Sequence, residues 1–330
     1  MGITSYEKQY MDILMKIYHD GYEDGVNKRT GLSTKRLPGQ IISVDVEKEF
    51  PILKSKFVAG KTSLREILWI WQQMSNNIHD LKAKIWDEWA DENGSIGKAY
   101  GAQIAKPVCI YADPVNKRDF RAYENQTQFV LEYLREFPTG RWANVTLCWA
   151  NVTLWNVDDL SAMKLVPCCH TTTWNLDGGR LNCVLNQRSG DMPYGVPFHT
   201  TQYAELMILF ARDLGVKPGI LTHIIADAHI YENQMEGVET QIQNYMLLCS
   251  AELGSRYKTL TLKHLSTFAD DDKAFVKIKD DFDLIVDTIN CNPKFVVNSE
   301  STSFWDVKPE DCIIEDYKNL GKISFGDIAV

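Results

Sequence analysis

Cys168 is the side chain best suited to covalent chemistry, as a sulfur nucleophile. A cysteine alone is usually a small buried apolar residue, but Pro167 stiffens the backbone before this one. The run Asp177-Gly178-Gly179 predicts a hairpin turn, which would bring Arg188 back beside Cys168. A neighbouring positive charge favours the reactive thiolate. The spacing therefore predicts an activated thiol.

Polar side chains near this cysteine have the types that bind a sugar phosphate. Arg188 offers a fork of donors and Ser189 a hydroxyl, a combination typical of phosphate sites, although a lone arginine is more often in a surface ion pair. Asp191 has a simple alternative as a turn acceptor. His229 and Tyr231 alternate, so they share one strand face, where they would bind a sugar hydroxyl or belong to the core.

Glu66 is the candidate for proton transfer. It lies between apolar neighbours on a predicted helix, and a buried carboxylate is costly unless it is paired or does acid–base work. The cluster Trp86-Asp87-Glu88-Trp89 and Tyr100 offer aromatic surface to a flat ring, although large aromatic residues are more often core.

The elements that must position these residues mix helix and strand signals along the whole chain. The spacing of apolar residues predicts an amphipathic helix over 4–20, a turn-rich segment over 21–39 and a strand over 41–46. Ser63 is predicted to cap a helix that runs to Met74, and Asn93-Gly94 predicts a turn.

The second half of the chain predicts two buried strands, over 181–185 and 220–225, and a core helix over 203–214. Residues 142–148 (WANVTLC) are followed by a near copy, 149–155 (WANVTLW), whose Val, Thr and Trp content favours strand. No Pro/Ser-rich linker interrupts the chain, so we expect one domain over 1–330.

Composition and charge restrict the function. The 330 residues include 35 Lys and Arg against 44 Asp and Glu, a formal charge of −9. With 45% apolar and 24% charged residues, the chain is not a disordered tail, a collagen-like fibre or a small disulfide scaffold. The acidic balance argues against a nucleic-acid-binding surface. It does not exclude a small anionic ligand, because the electrostatic field at a site depends more on nearby charges than on the net charge of the protein.

The N-terminal segment lacks the layout of a signal peptide, and no apolar stretch approaches the roughly 20 residues that span a bilayer. A cytoplasmic protein without membrane contact is the default expectation. The eight cysteines are therefore expected to be reduced. They form no CxxC pair and no zinc-type spacing, so no metal is predicted.

Taken together and in order, the motifs resemble the folate-dependent thymidylate synthase family, which uses a cysteine nucleophile. The resemblance extends from Arg29-Thr30-Gly31 to the C-terminus and is strongest in five stretches: IWDEWADENG at 85–94, PC at 167–168, QRSGD at 187–191, GVPF at 195–198 and HIY at 229–231. It implies an α+β fold with a large mixed β-sheet flanked by helices. It also implies a homodimer with shared sites and with the sheet at the interface.

For the nucleotide, the resemblance implies that Cys168 attacks C6 of a pyrimidine deoxynucleotide monophosphate, with Arg188 beside it. C5 then takes a one-carbon unit from the co-substrate 5,10-methylenetetrahydrofolate. Tyr100 is implied to be catalytic, and Glu66 to manage protons through ordered water. The remaining implied nucleotide-binding residues are Arg29, Arg141, Ser189, Gly190, Asp191, His199, His229 and Tyr231.

For the folate, the resemblance implies that Asp191 accepts a hydrogen bond from the pterin ring. Trp86 and Leu165 would wall the reacting methylene, and Gly195 belongs to the same site. Ala329 lies in the C-terminal tail that closes over both ligands. Closure would exclude water from a reactive intermediate.

The sequence departs from the family pattern at three positions. His199 stands where family members that use dUMP have Asn, so the base is open: uracil if His199 donates to O4, cytosine if it accepts from N4. Arg141-Trp142 stands where the family has an Arg-Arg pair for phosphate. Losing one charged contact would cost about 1.5–3 kcal/mol if nothing replaces it. Ala59 replaces a folate-side His.

The leading hypothesis is a thymidylate synthase that makes dTMP from dUMP. A pyrimidine nucleotide hydroxymethylase, acting on dUMP or dCMP with water capture, is the alternative that His199 and the altered arginine region support. An inactive nucleotide- or RNA-binding regulator is a third hypothesis, but a binder does not need the thiol. A cysteine hydrolase built on Cys168 and His170 lacks an orienting third group.

Overall fold

The computed structural model describes residues 2–28, 30–113, 118–138, 149–254 and 283–327. Its helices are α1 (Ser5–Asp20), α2 (Gly60–Trp71), α3 (Ile78–Leu81), α4 (Tyr100–Ile104), α5 (Gln126–Glu136), α6 (Gly195–Leu214) and α7 (Met235–Gly254), and residues 283–290 are also helical. Its strands are β1 (Tyr22–Asp24), β2 (Thr34–Asp45), β3 (Val108–Asp113), β4 (Arg118–Tyr123), β5 (Trp149–Thr153), β6 (Cys169–Asp177), β7 (Arg180–Gln187), β8 (Gly190–Asp191), β9 (Lys217–Tyr231), β10 (Lys294–Val297) and β11 (Cys312–Glu315).

A seven-stranded sheet forms the centre of the fold. Its order is β1-β2-β9-β7-β6-β5, with β8 also paired to β9. Strands β7 and β8 run parallel to β9, whereas the other neighbours are antiparallel. The pairs β3–β4 and β10–β11 form two small separate sheets. The sheet is therefore mixed, as the resemblance implies.

One face of the sheet is buried beneath helices. Along β7 and β9, buried residues alternate with half-exposed ones, the pattern of a sheet that packs on one side only. Helix α6 lies on the buried face and packs against α2. Trp71, Trp174 and Phe210 meet edge-on or tilted between these layers, with ring centroids 5.1–6.1 Å apart. The large ring volumes fill the space between helix and sheet.

Several sequence predictions are confirmed. Helix α1 begins at Ser5 and buries one apolar face, and the Thr4 hydroxyl accepts a hydrogen bond from the Glu7 N–H at its start. The predicted strands over 181–185 and 220–225 lie inside β7 and β9, and the helix over 203–214 lies inside α6. Gly178 and Gly179, both with positive φ, turn β6 into β7. Asn93 lies in a turn, and Gly94 follows it with a φ of 78°.

Two predictions about boundaries are wrong. Ser63 does not cap α2, which begins at Gly60; its hydroxyl instead lies 2.8 Å from the Gly60 carbonyl and 2.9 Å from Glu205 Oε2. The segment over 21–39 is not only turn, because it contains β1 and the first residues of β2, which pair with β9. Pairing across the sheet outweighs the local turn composition there.

Part of the duplicated segment is placed. The second copy forms β5 and pairs with β6, so its strand prediction is confirmed. The first copy, 142–148, lies outside the described residues. No helix in the described ranges is both long enough and apolar enough to cross a bilayer.

Candidate active site

The end of the β6–β7 hairpin brings Cys168 and Arg188 together. The Arg188 backbone N–H donates to the Cys168 carbonyl at 2.9 Å, and its Nη2 lies 4.0 Å from the Cys168 sulfur. The guanidinium is held by the carbonyls of Pro167, 3.0 Å from Nε, and Val166, 2.9 Å from Nη2. A fixed positive charge at this distance stabilises a thiolate. The Cys168 sulfur and the Arg188 guanidinium are therefore close together, as the hairpin predicts.

The two adjacent cysteines have different environments. Cys168 is half-buried, and its backbone N–H donates to the Tyr100 hydroxyl at 3.0 Å. Cys169 is buried, and burial raises the pKa of its thiol well above the ordinary value. Its sulfur lies 3.5 Å from Oε1 of Gln187. Of these two cysteines, only Cys168 therefore combines partial exposure with a nearby cation.

Glu66 lies on α2 with its carboxylate buried against α6. One oxygen accepts a hydrogen bond from Trp86 Nε1, and the other accepts from Gln202 Nε2 at 2.6 Å. Burial raises the pKa of Glu66 to about 7, although both hydrogen bonds act to lower it. A carboxyl group with this pKa exchanges protons at neutral pH. Trp86 in turn packs edge-on against Tyr100, with ring centroids 5.5 Å apart.

Asp191 and the end of β9 form a second polar group. The Asp191 carboxylate accepts hydrogen bonds from the Tyr194 N–H at 3.0 Å and from Gln234 Nε2 at 2.9 Å. Burial nevertheless raises its pKa above the ordinary value. The rings of His229 and Tyr231 meet edge-on at 5.0 Å on one strand face, as their alternation predicts.

A cavity of about 240 Å³ opens beside this group. Its lining includes Lys56, Ala59, Tyr194, Phe198 and Phe325. The Lys56 ammonium lies 4.9 Å from the Phe325 ring centroid and donates to the Pro193 carbonyl. Burial lowers the pKa of Lys56 to about 8, while the nearby Asp191 carboxylate raises it. The cavity therefore offers aromatic walls and a cation.

Gly190 is required by its surroundings. A Cβ there would lie 2.6 Å from Ile225 and 2.9 Å from Val196, both side-chain carbons packed in the core. Gly195 begins α6, and a Cβ on it would lie 3.5 Å from the His199 ring. Gly190 therefore lets β8 approach α6 and the sheet closely, whereas a Cβ on Gly195 would make only ordinary van der Waals contact.

Comparisons with known proteins identify the family of this chain. A sequence profile of the family described as thymidylate synthase matches residues 8–274. The thymidylate synthase of Clostridium beijerinckii is 37% identical over 331 aligned residues, which cover 99% of this chain and 100% of that protein. The chain belongs to the thymidylate synthase family. Another thymidylate synthase, from Bacillus phage phi3T, is 34% identical over 251 residues, 73% of this chain and 85% of the relative.

A solved structure of the thymidylate synthase family has the same fold. Thermostable thymidylate synthase A from Bacillus subtilis superimposes with a TM-score of 0.73 at 28% identity, covering 98% of this chain and 99% of that one. The predicted α+β fold with a large mixed sheet is confirmed. The family consists of one-carbon methyltransferases, so the predicted class of enzyme is confirmed as well.

The predicted site residues fall into two groups. The structure describes Cys168, Glu66, Tyr100, Arg188, Trp86, Asp191 and their neighbours, with the contacts given above. Leu165 is half-buried against the core, and the Ser189 carbonyl accepts from Gln187. Arg29, Arg141 and Ala329 lie outside the described residues. Among the described residues, no group of three or more His, Cys, Asp or Glu could hold a metal ion.

Several residues around the candidate site were not predicted from the sequence. Gln202 binds Glu66, Lys56 lines the cavity, and Gln187 and His223 surround His199. Gln187 stands next to Arg188 in the QRSGD motif, and this position is the sequence signal that could have indicated its place near the site. Gln202, Lys56 and His223 reach the site only through tertiary packing, so spacing along the chain could not reveal them.

Proposed function

We propose that this protein is a thymidylate synthase, which uses 5,10-methylenetetrahydrofolate to convert dUMP into dTMP through a covalent adduct on Cys168. The observation that carries this proposal is the half-buried Cys168 sulfur 4.0 Å from the fixed Arg188 guanidinium. The likeness to thymidylate synthases over 99% of the chain supports it.

The chemistry follows from the polarity of the uracil ring. In our proposal the Cys168 thiolate adds to C6, and the electron pair of the C5–C6 double bond makes C5 nucleophilic. The folate supplies the one-carbon unit and then the hydride that makes it a methyl group. The nearby Glu66 carboxyl, with its pKa raised to about 7 by burial, is suited to carrying protons to and from the base at neutral pH. The S–C6 bond then breaks and restores the thiol.

Ligand positions in this proposal follow the polar groups. Arg188 and Ser189 would hold the nucleotide phosphate, together with Arg29 and Arg141, and His229 and Tyr231 would hold the sugar. The folate would lie against Trp86 and Leu165, with its pterin ring bound by Asp191 and its anionic end in the cavity near Lys56. The aromatic walls match the benzoyl ring of a folate, and the buried cation matches the glutamate carboxylates that follow that ring. Ala329 would belong to the closing tail.

The hydroxymethylase alternative is not favoured. The relatives quoted above, at 34–37% identity, are named thymidylate synthases. The inactive-regulator hypothesis is weakened by the positioned thiol and by the carboxyl group with a pKa of about 7, since binding alone requires neither.

We further propose a single domain over 1–330 and a homodimer that pairs through the sheet. One buried apolar cluster includes residues from Tyr6 to Phe325, which supports the single domain. The sheet face opposite α6 carries half-exposed Ile220 and Ile224 and the 57% exposed Ile41. Sedimentation measures the oligomeric state, and an activity assay is run at the same dilution. A protein that is monomeric at micromolar concentration and keeps full activity would contradict the dimer.

The release of dihydrofolate tests the function directly. In a thymidylate synthase the folate gives up a hydride, so dihydrofolate must form in proportion to the nucleotide product. Hydroxymethylation leaves tetrahydrofolate instead. When the full-length protein is incubated with dUMP and 5,10-methylenetetrahydrofolate, we expect dihydrofolate to form in a stoichiometric amount with the nucleotide product. The formation of dihydrofolate is measured by absorbance. Turnover of dUMP without dihydrofolate would overturn the proposal.

A further inference from the structure

Residues 53–58, all of them within the described structure, lie between β2 and α2 and outside any helix or strand. All but Phe57 are buried. The backbone groups of such a segment have no regular ladder to bind, so other parts of the protein must supply their partners. The segment contains Lys56, which lines the cavity of about 240 Å³. The groups that hold this backbone therefore decide where the Lys56 charge lies.

The carboxylate of Glu7 binds two successive backbone N–H groups of this segment. Its Oε2 accepts from the Lys54 N–H at 2.8 Å, and its Oε1 accepts from the Ser55 N–H at 2.7 Å. Glu7 lies in the first turn of α1 and is completely buried. Removing a carboxylate from water is costly, and these hydrogen bonds offset that cost while they fix both peptide groups.

A second side chain holds the two ends of the segment. The Tyr317 hydroxyl donates to the Leu53 carbonyl and accepts from the Val58 N–H, both at 2.9 Å. Glu7 differs from this tyrosine because it is an acidic group and because it binds the two residues directly before Lys56. Glu7 is therefore the contact that most directly fixes the backbone leading into this lysine.

The two lysines of the segment have different partners. Lys54 is buried, and its ammonium donates to the carbonyls of Ile289 at 3.0 Å and Cys291 at 2.8 Å. The Lys56 ammonium instead donates to the Pro193 carbonyl, and its side chain lines the cavity. The two lysines are only two positions apart. The path of the backbone from residue 54 to residue 56 therefore decides which ammonium faces the cavity.

We propose that Glu7 is a positioning residue for Lys56. By binding the N–H groups of residues 54 and 55, its carboxylate keeps the Lys56 ammonium at the cavity, where it attracts an anionic ligand. The identity of that ligand rests on the proposed function, in which the cavity takes the anionic end of the folate. Glu7 is not among the described residues that line the cavity, so it acts through the backbone of the segment.

Glu7→Gln tests the positioning with little change in volume. A glutamine has one acceptor oxygen, so its amide N–H groups would face one of the two backbone N–H groups. At pH 7, below the Lys56 pKa of about 8, we expect the KM for 5,10-methylenetetrahydrofolate to rise roughly fivefold or more. The kcat and the affinity for dUMP should stay within about twofold. An unchanged KM, or an equal loss in all three quantities, would overturn the proposal.

A double-mutant cycle separates positioning from general damage. In Lys56→Met, the further change Glu7→Gln should leave the folate KM within about twofold, because no ammonium is left to position. Glu49→Gln is the matched control, since the Glu49 carboxylate binds the N–H groups of Ser5 and Tyr6, both at 2.8 Å, at the start of the same helix. Its folate KM should equal that of the unmodified protein. A fivefold rise in either case would overturn the proposal.

Hydrogen exchange tests the hold on the segment without any substrate. We expect the amides of residues 54 and 55 to exchange roughly tenfold faster in Glu7→Gln, whereas the amides in the middle of α6 should be unchanged. Glu7→Asp is a second variant, in case the first does not fold: it keeps the carboxylate but is too short to reach both N–H groups. The same local increase and the same rise in folate KM are expected.

Unchanged exchange at residues 54 and 55 in a folded variant would overturn the positioning role. The proposed function has a separate readout, because it fails if dUMP gives no dihydrofolate, whatever the exchange of this segment. The two proposals can therefore fail independently.

Discussion

The Nη2 atom of Arg188 lies 4.0 Å from the sulfur of Cys168, and the same guanidinium is bonded to the backbone just before that cysteine. Its hydrogen bonds to the carbonyls of Val166 and Pro167 fix both the position of the charge and the path of the chain. The Arg188 backbone N–H also donates to the Cys168 carbonyl. One arginine therefore fixes the backbone before Cys168 and holds a positive charge where it would stabilise a thiolate.

Arg188→Lys should slow the reaction of Cys168 with iodoacetamide at neutral pH by roughly tenfold or more, because one ammonium group cannot hold two carbonyls and also approach the sulfur. The rate is measured by the mass of the alkylated peptide over time. Arg180→Lys, at the far end of β7 in an ion pair with Asp45, is the control and should react like the unmodified protein. Equal rates for Arg188→Lys would show that Arg188 does not activate the thiol.

Cys168→Ser should abolish turnover while nucleotide binding survives, because a serine hydroxyl lacks the nucleophilicity of a thiolate. Activity and calorimetric binding of dUMP check the two parts. Cys169→Ala is the matched control: that thiol is buried with a raised pKa, and we expect turnover within a few fold of the unmodified protein. Turnover by Cys168→Ser would rule out this nucleophile.

Glu66→Gln should lower kcat by about 10²–10⁴-fold, the usual contribution of a positioned acid–base group. It should also remove an inflection near pH 7 in the rate profile, because burial sets the pKa of Glu66 to about 7. Glu205→Gln is the control, since Glu205 is equally buried with a raised pKa but bonds Ser63 instead. An inflection that persists in Glu66→Gln would assign it to another group.

The same carboxyl group also affects stability. Its pKa in the folded protein, about 7, is above the ordinary 4.5. The folded state therefore holds the proton more tightly, and the associated stability is greatest below about pH 4.5 and lost as the pH rises through 7. Between pH 5 and 8, unfolding by denaturant should show Glu66→Gln gaining about 2–3 kcal/mol relative to the unmodified protein. A difference independent of pH would contradict the raised pKa.

Lys56 should make folate affinity depend on pH. Burial lowers its pKa to about 8, so the ammonium is charged below pH 8 and loses its charge above it. The KM for 5,10-methylenetetrahydrofolate should therefore rise roughly tenfold, or about 1.4 kcal/mol, as the pH passes through 8. In Lys56→Met this rise should be absent, whereas exposed Lys322→Gln should retain it. A rise that persists in Lys56→Met would exclude this lysine.

Local patterns predicted much of the fold and part of the site. The pair Gly178-Gly179 predicted the hairpin that places Arg188 beside Cys168. The alternation of side chains along a strand predicted that His229 and Tyr231 share one face. Such features depend on neighbouring residues and on strand period, which the sequence displays directly.

Contacts between distant elements could not be predicted in this way. Gln187, His199 and His223 come from β7, α6 and β9, and they meet only because α6 lies across those strands. Serine is a residue type that often caps helices, but the packing of α2 against α6 directs the Ser63 hydroxyl toward Glu205. The contacts among these three side chains therefore required the assembled structure.

The most direct test of the central proposal is the mass of the product. The full-length protein is incubated with 5,10-methylenetetrahydrofolate and either dUMP or dCMP, side by side, and each nucleotide product is weighed by mass spectrometry. We predict dTMP from dUMP and no product from dCMP. A product heavier than the methylated nucleotide by one oxygen atom, or turnover of dCMP, would contradict the account.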